Sequence, residues 1–388
     1  MRSSRSWRTS KRSTAETMSG PVDKDTTETQ LGALRDRIDE IDQELQRLLN
    51  ARAAAAQEVA HVKMRADPEA EPVFYRPERE AQVLARVKAR NTGPMGDEDV
   101  ARLFREIMSC CLALEQPLTV AYLGPEGTFT EAAAIKHFGH FARACHMASI
   151  AEVFREVESG AAHYGVVPVE NSTEGVVNHT LDSFMGSPLK IAGEVELRIH
   201  HHLLAAPGVE REEVTRILSH QQSLAQCRAW LDAHWPTVER IPVASNAEAA
   251  VLAQKTPGIA AIAGEMAAER YGLGKLAENI EDNPDNTTRF LVIGRQWVAP
   301  SGRDKTTLLV STRNRPGALY ELLEPFHRNG ISLTRLETRP SRQGNWSYVF
   351  FIDCEGHQED PTVQKVVGEL EEIAIEVTSL GSYPRAVL

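Results

Sequence analysis

Cysteine pairing is the first thing this sequence lacks. Its five cysteines, at positions 110, 111, 145, 227 and 354, are odd in number and include no CxxC pair. A disulfide framework or cysteine zinc site is not expected, and a reducing cytoplasm fits better. No run reaches the roughly 18 apolar residues of a membrane span, so no membrane partner is expected. Basic excess is missing too: 43 Lys and Arg face 54 Asp and Glu, a formal net charge of −11. Nucleic-acid binding, whose affinity comes from basic surface, is disfavoured. An anionic substrate would need local basic residues working against the global field. The stretch AYLGPEGTFTEAA (121–133) lacks the third glycine of GxGxxG and the GK[ST] of a P-loop. Nucleotide binding is disfavoured on that ground, and no cofactor is expected. The first twenty residues hold five Lys or Arg, one acid and no apolar h-region, so they are not a secretory signal. A disordered tail over 1–29 is the expectation, with a transit peptide as the alternative and Met18 as a second candidate start.

What is present falls into blocks. A length of 388 residues suggests two to four domains, and the 42% apolar fraction is ordinary for globular protein. Over 31–65, Leu31, Leu34, Ile38, Ile41, Leu45, Leu48, Leu49, Val59 and Val62 recur at three- and four-residue steps, the pattern of one long amphipathic helix. DPEAEP (67–72) ends it. Two more helices are predicted, from about Pro77 to Ala89 and from about Glu98 to Glu115, the second capped by Asp97. Three such helices bury no core alone, so pairing with a second copy is expected. After Pro117, TVAYLG (119–124), YGVVPV (164–169), KIAGEVEL (190–197), RILSH (216–220), IAAIAG (259–264) and RFLVIG (289–294) read as strands. Helical segments at 130–138, 149–159, 223–233, 245–254 and 264–271 separate them. This alternation predicts α/β layers with mostly parallel sheets and ligands at the carboxyl ends of strands. VAPSGRDK (298–305) reads as a linker. Beyond it, the order strand, helix, strand, strand, helix, strand is ferredoxin-like, with Pro316 at a helix start and Gly330 at its end.

Polar residues gather at strand ends. DNPDNTTRFLVIG (282–294) crowds Asp, Asn, Thr and Arg, broken only by Pro284, against the mouth of an apolar strand. VVPVENSTEG (166–175) sets Glu170, Asn171, Ser172 and Thr173 just past a buried strand. SHQQSLAQC (219–227) sets Ser219, Gln222 and Gln226 across a strand end and the next helix. Each cluster alone is an ordinary capped turn. Together with the 121–133 turn, whose N–H groups suit an anion, they point to a shared crevice. On the first helix, Arg52 and Lys63 share one face within roughly 20°, whereas Arg35 is rotated by about 100° and lies roughly 26 Å from Arg52. The first two could grip one dianion and Arg35 could serve a partner chain; a solvated charged face is the alternative. RIHHHLLAAPG (198–208) puts His200 and His202 on one face of a strand and His201 on the other. No further ligand follows at a standard spacing, so no metal is expected.

The helical block resembles the all-helical chorismate mutase family over about residues 31–116, on LGALRDRIDEIDQELQRLLNAR, HVKM, YRPERE and RLFREIM. The resemblance implies an intertwined helical dimer that rearranges chorismate to prephenate without a cofactor. It implies that Arg52 and Lys63 bind substrate carboxylate and ether oxygen, and that Arg35 reaches into the partner's site. It makes Arg79 a substrate-side arginine and gives Glu80 the substrate hydroxyl. No proton need move in such a pericyclic step; restraint and cationic stabilisation of the ether oxygen carry it. Two positions depart from the pattern: Glu115 stands where some relatives have Gln, and Cys111 where a relative has Ser. Only a protonated acid can donate to the ether oxygen, so mutase activity is expected to fall as pH rises.

The four strand-end motifs together resemble prephenate dehydratase over about residues 117–297. This implies two α/β lobes, like a type-II periplasmic binding protein, with the site between them. Thr288 would assist departure of the ring hydroxyl of prephenate, and loss of CO2 and water would give phenylpyruvate. Arg289 suits a carboxylate, and Phe290 would stand with it at the substrate. Asn171, Ser172 and Gln226 would orient the substrate, with Thr173, Ser219 and Gln222 beside them and Glu170 as the nearest proton source.

RNRPGALYELL and LETRP resemble the GAL and ESRP motifs of the ACT domain, with Thr for Ser in the second. The resemblance implies a phenylalanine site at a domain dimer interface, using Arg313, Asn314, Gly317, Ala318, Leu319, Glu337 and Arg339. The expected chain is multidomain: an all-α mutase over 30–116, an α/β dehydratase over 117–299 and an α+β ACT domain over 303–388. Its expected partners are chorismate, prephenate, the effector L-phenylalanine and a second copy of itself. Two alternatives stand: a mutase fused to a prephenate dehydrogenase, which would need a nicotinamide fingerprint, and a non-catalytic amino-acid sensor.

Overall fold

The computed structural model describes residues 24–66, 74–313, 315–341 and 348–387. Its first element, α1 (Lys24–Ala66), is a single 43-residue helix. It starts ahead of the expected Leu31, inside the stretch expected to be a tail; residues before Lys24 lie outside the described ones. Residues up to Ala55 form one unit and those from Ala56 onward a second. In the first, Leu34, Ile38, Ile41, Leu45 and Leu48 are all exposed. In the second, α2 (Pro77–Arg90) and α3 (Asp97–Glu115) bury Leu84, Val87 and Ala101. The N-cap of α3 is Gly96 rather than Asp97, whose carboxylate instead accepts from Asn91 Nδ2 at 2.7 Å.

Two α/β lobes follow. The first comprises β1 (Thr119–Leu123), α4 (Phe129–Phe138), β2 (Arg143–Met147), α5 (Ile150–Glu158), β3 (Tyr164–Asn171), β4 (Gly175–Val176), α6 (Asn178–Phe184) and β5 (Lys190–Arg198). The chain then crosses to β6 (His202–Ala205), β7 (Arg216–His220), α7 (Gln221–Gln226), α8 (Arg228–His234), β8 (Glu239–Val243), α9 (Asn246–Lys255), β9 (Ile259–Ala263), α10 (Glu265–Tyr271) and β10 (Gly274–Ala277). It returns as β11 (Thr287–Gly294), which enters the first sheet in the order β2-β1-β3-β11-β5, with β4 on β3. The second sheet runs β10-β6-β9-β7-β8. The sheets are parallel only in part. β1 runs parallel to β2 and β3, but β11 is antiparallel to both its neighbours because it arrives from the other lobe.

Three strand-to-helix turns share one device. Thr128, Ser149 and Ser245 cap α4, α5 and α9 by accepting from the N–H of Glu131, Glu152 and Glu248. Those glutamates return a carboxylate oxygen to the N–H of Gly127, Ala148 and Ala244. The S/T-x-x-E signature therefore fixes the turns as well as the helix starts. The helix expected over 223–233 breaks at Cys227, which leaves helical geometry with φ −112° and buries its side chain in the second-lobe core.

The C-terminal domain is β12 (Asp304–Thr312), α11 (Ala318–Arg328), β13 (Leu333–Pro340), β14 (Tyr348–Glu355), α12 (Pro361–Ile373) and β15 (Glu376–Pro384), an antiparallel sheet ordered β13-β14-β12-β15. Gly317, in the left-handed region at φ 84°, is the N-cap of α11, so Pro316 precedes the helix instead of opening it. One face of the sheet packs on α11 and α12 through Val310, Ile352, Phe326 and Leu370. The other lies on the first lobe, where Val349, Phe351, Leu380 and Tyr383 share a core with Ile191, Leu291 and Ile293. Residues 298–305 are an ordered connection: Val298 is buried, and the Asp304 carboxylate accepts from the N–H groups of Ser301 and Gly302.

The docking of this sheet depends on Gly381. Its φ is 134°, and a Cβ there would stand 2.6 Å from the Ile191 carbonyl oxygen. Gly381→Ala should therefore destabilise the chain by about 1–3 kcal/mol through backbone displacement. The expected sign is a lower denaturant midpoint with earlier proteolysis at the 298–305 connection; an unchanged midpoint would refute this packing.

Candidate active site

The site starts from the pairing of β3 with β11. Thr288 lies opposite Asn171 and Arg289 opposite Glu170, but Phe290 lies opposite Pro168, so Val169 is an extra residue on β3. That bulge falls at a proline, which has no N–H to give the ladder. It turns Asn171 to the same side as Thr288. Together they face a cleft of about 580 Å³ between the lobes. The first lobe contributes Gly127, Thr128, Phe129, Asn171, Glu174 and Thr288; the second contributes His220, Gln222, Ser223, Gln226, Ser245 and Asn246, with His201 from the crossover.

A chain of amides links the lobes, and its polarity can be read bond by bond. Asn171 Oδ1 accepts from the N–H of Thr173 and Glu174, at 2.9 and 3.0 Å. Its Nδ2 then donates to Thr288 Oγ1 at 2.7 Å and to Asn286 Oδ1 at 2.9 Å. Asn286 Nδ2 donates to Gln226 Oε1 at 3.1 Å, and Gln226 Nε2 donates to Glu174 Oε1 at 3.2 Å. His201 Nε2 lies 2.9 Å from Gln226 Oε1, which can only accept, so Nε2 carries the proton. Its Nδ1 is buried and without a partner. Burial lowers the His201 pKa, against a smaller upward pull from Gln226. The ring is thus neutral, and Thr288, already an acceptor, has its own proton left for the cleft.

Several expected site residues lie elsewhere. Arg289 points to the opposite face of β11: Nε donates to Glu194 at 2.9 Å, Nη1 to Asp353 at 2.7 Å and Nη2 to the Tyr383 hydroxyl at 3.0 Å. Phe290 is a fully buried core residue. Glu170 pairs with Arg335 of the C-terminal domain at 3.3 Å and is outside the cleft lining. Ser219 is fully buried, with Oγ 2.6 Å from the Ile262 carbonyl and 2.9 Å from Asn246 Oδ1. Strand alternation explains Arg289 and Glu170, since neighbours in sequence face opposite sides, whereas Phe290 shares the face of Thr288 and packs into the first-lobe core. Ser172 and Thr173 reach Asn286 Oδ1 at the rim, and Gln222 lines the cleft. Asn286, which opens NTTRF, and His201, which its sequence context offers only as a metal candidate, are further members of this network. His200 instead pairs with Glu281 at 2.7 Å and His202 with Glu265 at 3.3 Å.

In the helical block, Arg35 is exposed and Arg52 half-buried. Lys63 Nζ stands 5.6 Å over the Phe74 ring. Arg79 is exposed, Cys111 buried and Glu115 half-buried at the last position of α3. Glu80 is largely buried: its Oε1 lies 3.2 Å from Arg105 Nε and 3.4 Å from the Tyr75 hydroxyl. Burial raises its pKa, only partly opposed by Arg105. In the C-terminal domain, Arg313 is exposed, Gly317, Ala318 and Leu319 form the start of α11, and Glu337 is half-buried on β13. Arg339 grips Asp182 of α6 with two bonds of 2.8 and 2.9 Å, and Asn314 lies outside the described residues.

Three family models match the chain: chorismate mutase type II over residues 34–116, prephenate dehydratase over 120–297 and ACT domain over 306–372. The bifunctional chorismate mutase/prephenate dehydratase of Stutzerimonas stutzeri is 62% identical over 360 residues, 92% of this chain and 99% of that protein. The chain belongs to the bifunctional chorismate mutase/prephenate dehydratase family. The Escherichia coli K12 relative of the same name is 33% identical, matching 92% of this chain and 97% of its own length. The prephenate dehydratase of Arthrobacter aurescens in complex with L-Phe superposes with a TM-score of 0.65 at 38% identity, covering 69% of this chain and 90% of that one. The family's architecture is the one described: a helical mutase domain, a two-lobed periplasmic-binding-protein-like dehydratase domain and a C-terminal ACT domain. Among the described residues no helix is long and apolar enough to cross a membrane.

The buried histidines give the family member a pH signature. Burial lowers the pKa of His201, and burial with Arg105 lowers that of His137 well below the ordinary 6.5. At these two rings the folded chain binds fewer protons than the unfolded one, and their contribution to stability is lost as pH falls below about 6.5, by at most about 1.4 kcal/mol per pH unit for each group. Denaturant melts at pH 7.5, 6.5 and 5.5 should show this fall, and His201→Gln should reduce its slope; a flat profile would contradict a neutral His201.

Proposed function

We propose that the chain catalyses two consecutive steps. Its helical domain rearranges chorismate to prephenate, and its cleft converts prephenate to phenylpyruvate, CO2 and water. The observation that carries the second step is the polarity around Thr288, whose oxygen is occupied by Asn171 while its proton is free. In prephenate the bond to the ring carboxylate breaks, its electron pair aromatises the ring, and the ring C–O bond opens. The departing oxygen takes a proton and leaves as water. Thr288 donates to that oxygen and relays a proton from solvent, because a threonine hydroxyl is too weak an acid to be the source.

With Arg289 on the far face, no Lys or Arg lines the described cleft. Substrate carboxylates meet side-chain amides and the N-terminal turns of α4 and α9 instead. Neutral donors suit a decarboxylation. An ion pair would stabilise the reacting carboxylate more than the CO2 it becomes, whereas weaker donors stabilise the reactant less.

The mutase step uses Arg52, Lys63, Arg79 and Glu115, with Arg35 from a second copy; the exposed apolar stripe of α1 supports a homodimer. The ACT domain senses L-phenylalanine near the start of α11 and Glu337, a reading supported by the L-Phe complex of the Arthrobacter aurescens relative. Thr288→Val should cut phenylpyruvate formation at least ~100-fold while chorismate consumption continues and prephenate accumulates. Phenylpyruvate at the wild-type rate would overturn this role. For the mutase, turnover should fall with rising pH, and Glu115→Gln should flatten the profile; an unaltered slope would remove Glu115 from the mechanism.

A further inference from the structure

Two charged pairs stand directly behind the cleft pair. Arg289 follows Thr288 and Glu170 precedes Asn171, and the two lie opposite each other across β11 and β3. Both point away from the cleft into the C-terminal domain. Arg289 donates to Asp353 of β14 at 2.7 Å, and Glu170 lies 3.3 Å from Arg335 of β13. Arg335 and Asp353 are themselves cross-strand neighbours. The four charges thus close a ring between two strand pairs, one in each domain. Arg335 is the weak member. Its side chain is buried, yet its Nε and Nη2 make no hydrogen bond, so the contact with Glu170 is an ion pair without alignment. A buried guanidinium with unused donors has a second arrangement open to it at small cost, whereas all three nitrogens of Arg289 are engaged. On the same strand, Arg339 grips Asp182 of α6, whose first turn also lines the cleft.

Resting on the dehydratase reading, we propose that Arg335 is a positioning residue for prephenate turnover. Through Glu170 it sets Asn171 opposite Thr288, and movement of β13 reaches the cleft through this contact. Effector binding next to Glu337 would then act on turnover by realigning Arg335, without the effector approaching Thr288.

The test uses the full-length chain with Arg335→Gln, Glu170→Gln and both together, assayed for prephenate turnover, chorismate turnover and L-phenylalanine response. Arg335→Gln should lower kcat for phenylpyruvate about tenfold with KM within about threefold, and should blunt inhibition by L-phenylalanine while its binding, measured calorimetrically, persists. Chorismate turnover should be unchanged. The double variant should be no worse than the poorer single one, and Arg335→Lys should recover part of kcat. The proposal fails if either single variant keeps wild-type kcat and inhibition, if the two losses multiply, or if L-phenylalanine binding disappears together with inhibition. Should Arg335→Gln not fold, Arg335→Lys and Glu170→Gln decide on the same readouts. Absence of prephenate turnover in the wild-type chain would instead refute the dehydratase reading itself.

Discussion

The pairing of β11 with β3 is the constraint on which the cleft depends. β11 is the return strand from the second lobe, so the register that seats Thr288 beside Asn171 is also what ties the lobes together. A slip of one residue would send Thr288 to the far face and bring Arg289 into the cleft. The bulge at Val169 fixes that register locally, and the flanking pairing of β11 with β5 fixes it along its whole length. The active-site geometry is therefore a property of the sheet more than of the loops around it.

The reverse face is held by charge. Glu194 and Asp353 meet Arg289 and Lys305, two acids and two bases, all largely buried and drawn from both domains. Burial works against the charge of Arg289, but Tyr383, Asp353 and Glu194 outweigh it and raise its pKa. Such a cluster is weak evidence of stability, because desolvation offsets most of its attraction. Its effect is on geometry: removing any one member strands another, so the ACT sheet has one favourable seating on the lobe. The apolar part of the same interface, around Phe351 and Leu380, would tolerate sliding far better.

Much of this was legible in the sequence, and what was not has physical causes. Strands with apolar runs, such as IAAIA and FLVIG, were evident because both their faces are buried. RACHM in β2 and ERIPV in β8 are partly exposed edges without such runs, and they were missed. Thr288, Asn171 and Gln226 were found because polar residues at the end of an apolar strand signal a crevice. Arg289 and Glu170 were misplaced because a motif is read as one string, while a strand sends its neighbours to opposite sides; Phe290 shares the face of Thr288 but is taken up by the first-lobe core. Asn286 and His201 act on side chains far away in sequence, a relation no local pattern encodes. Arg339 was drawn toward a ligand by its motif and is engaged by Asp182 in the fold.

The segregation of charge by strand face also explains why amides fill the cleft. Each amide in the chain from Asn171 to Gln226 has one donor end and one acceptor end, so fixing either terminus fixes all of them. Backbone N–H groups fix one terminus at Asn171 Oδ1, and the neutral His201 ring fixes the other at Gln226 Oε1. The Glu174 carboxylate, which accepts from Gln226 Nε2, holds the same polarity because it can only accept. The result is a hydroxyl that can donate only toward the cleft, set by the same amides that face the substrate.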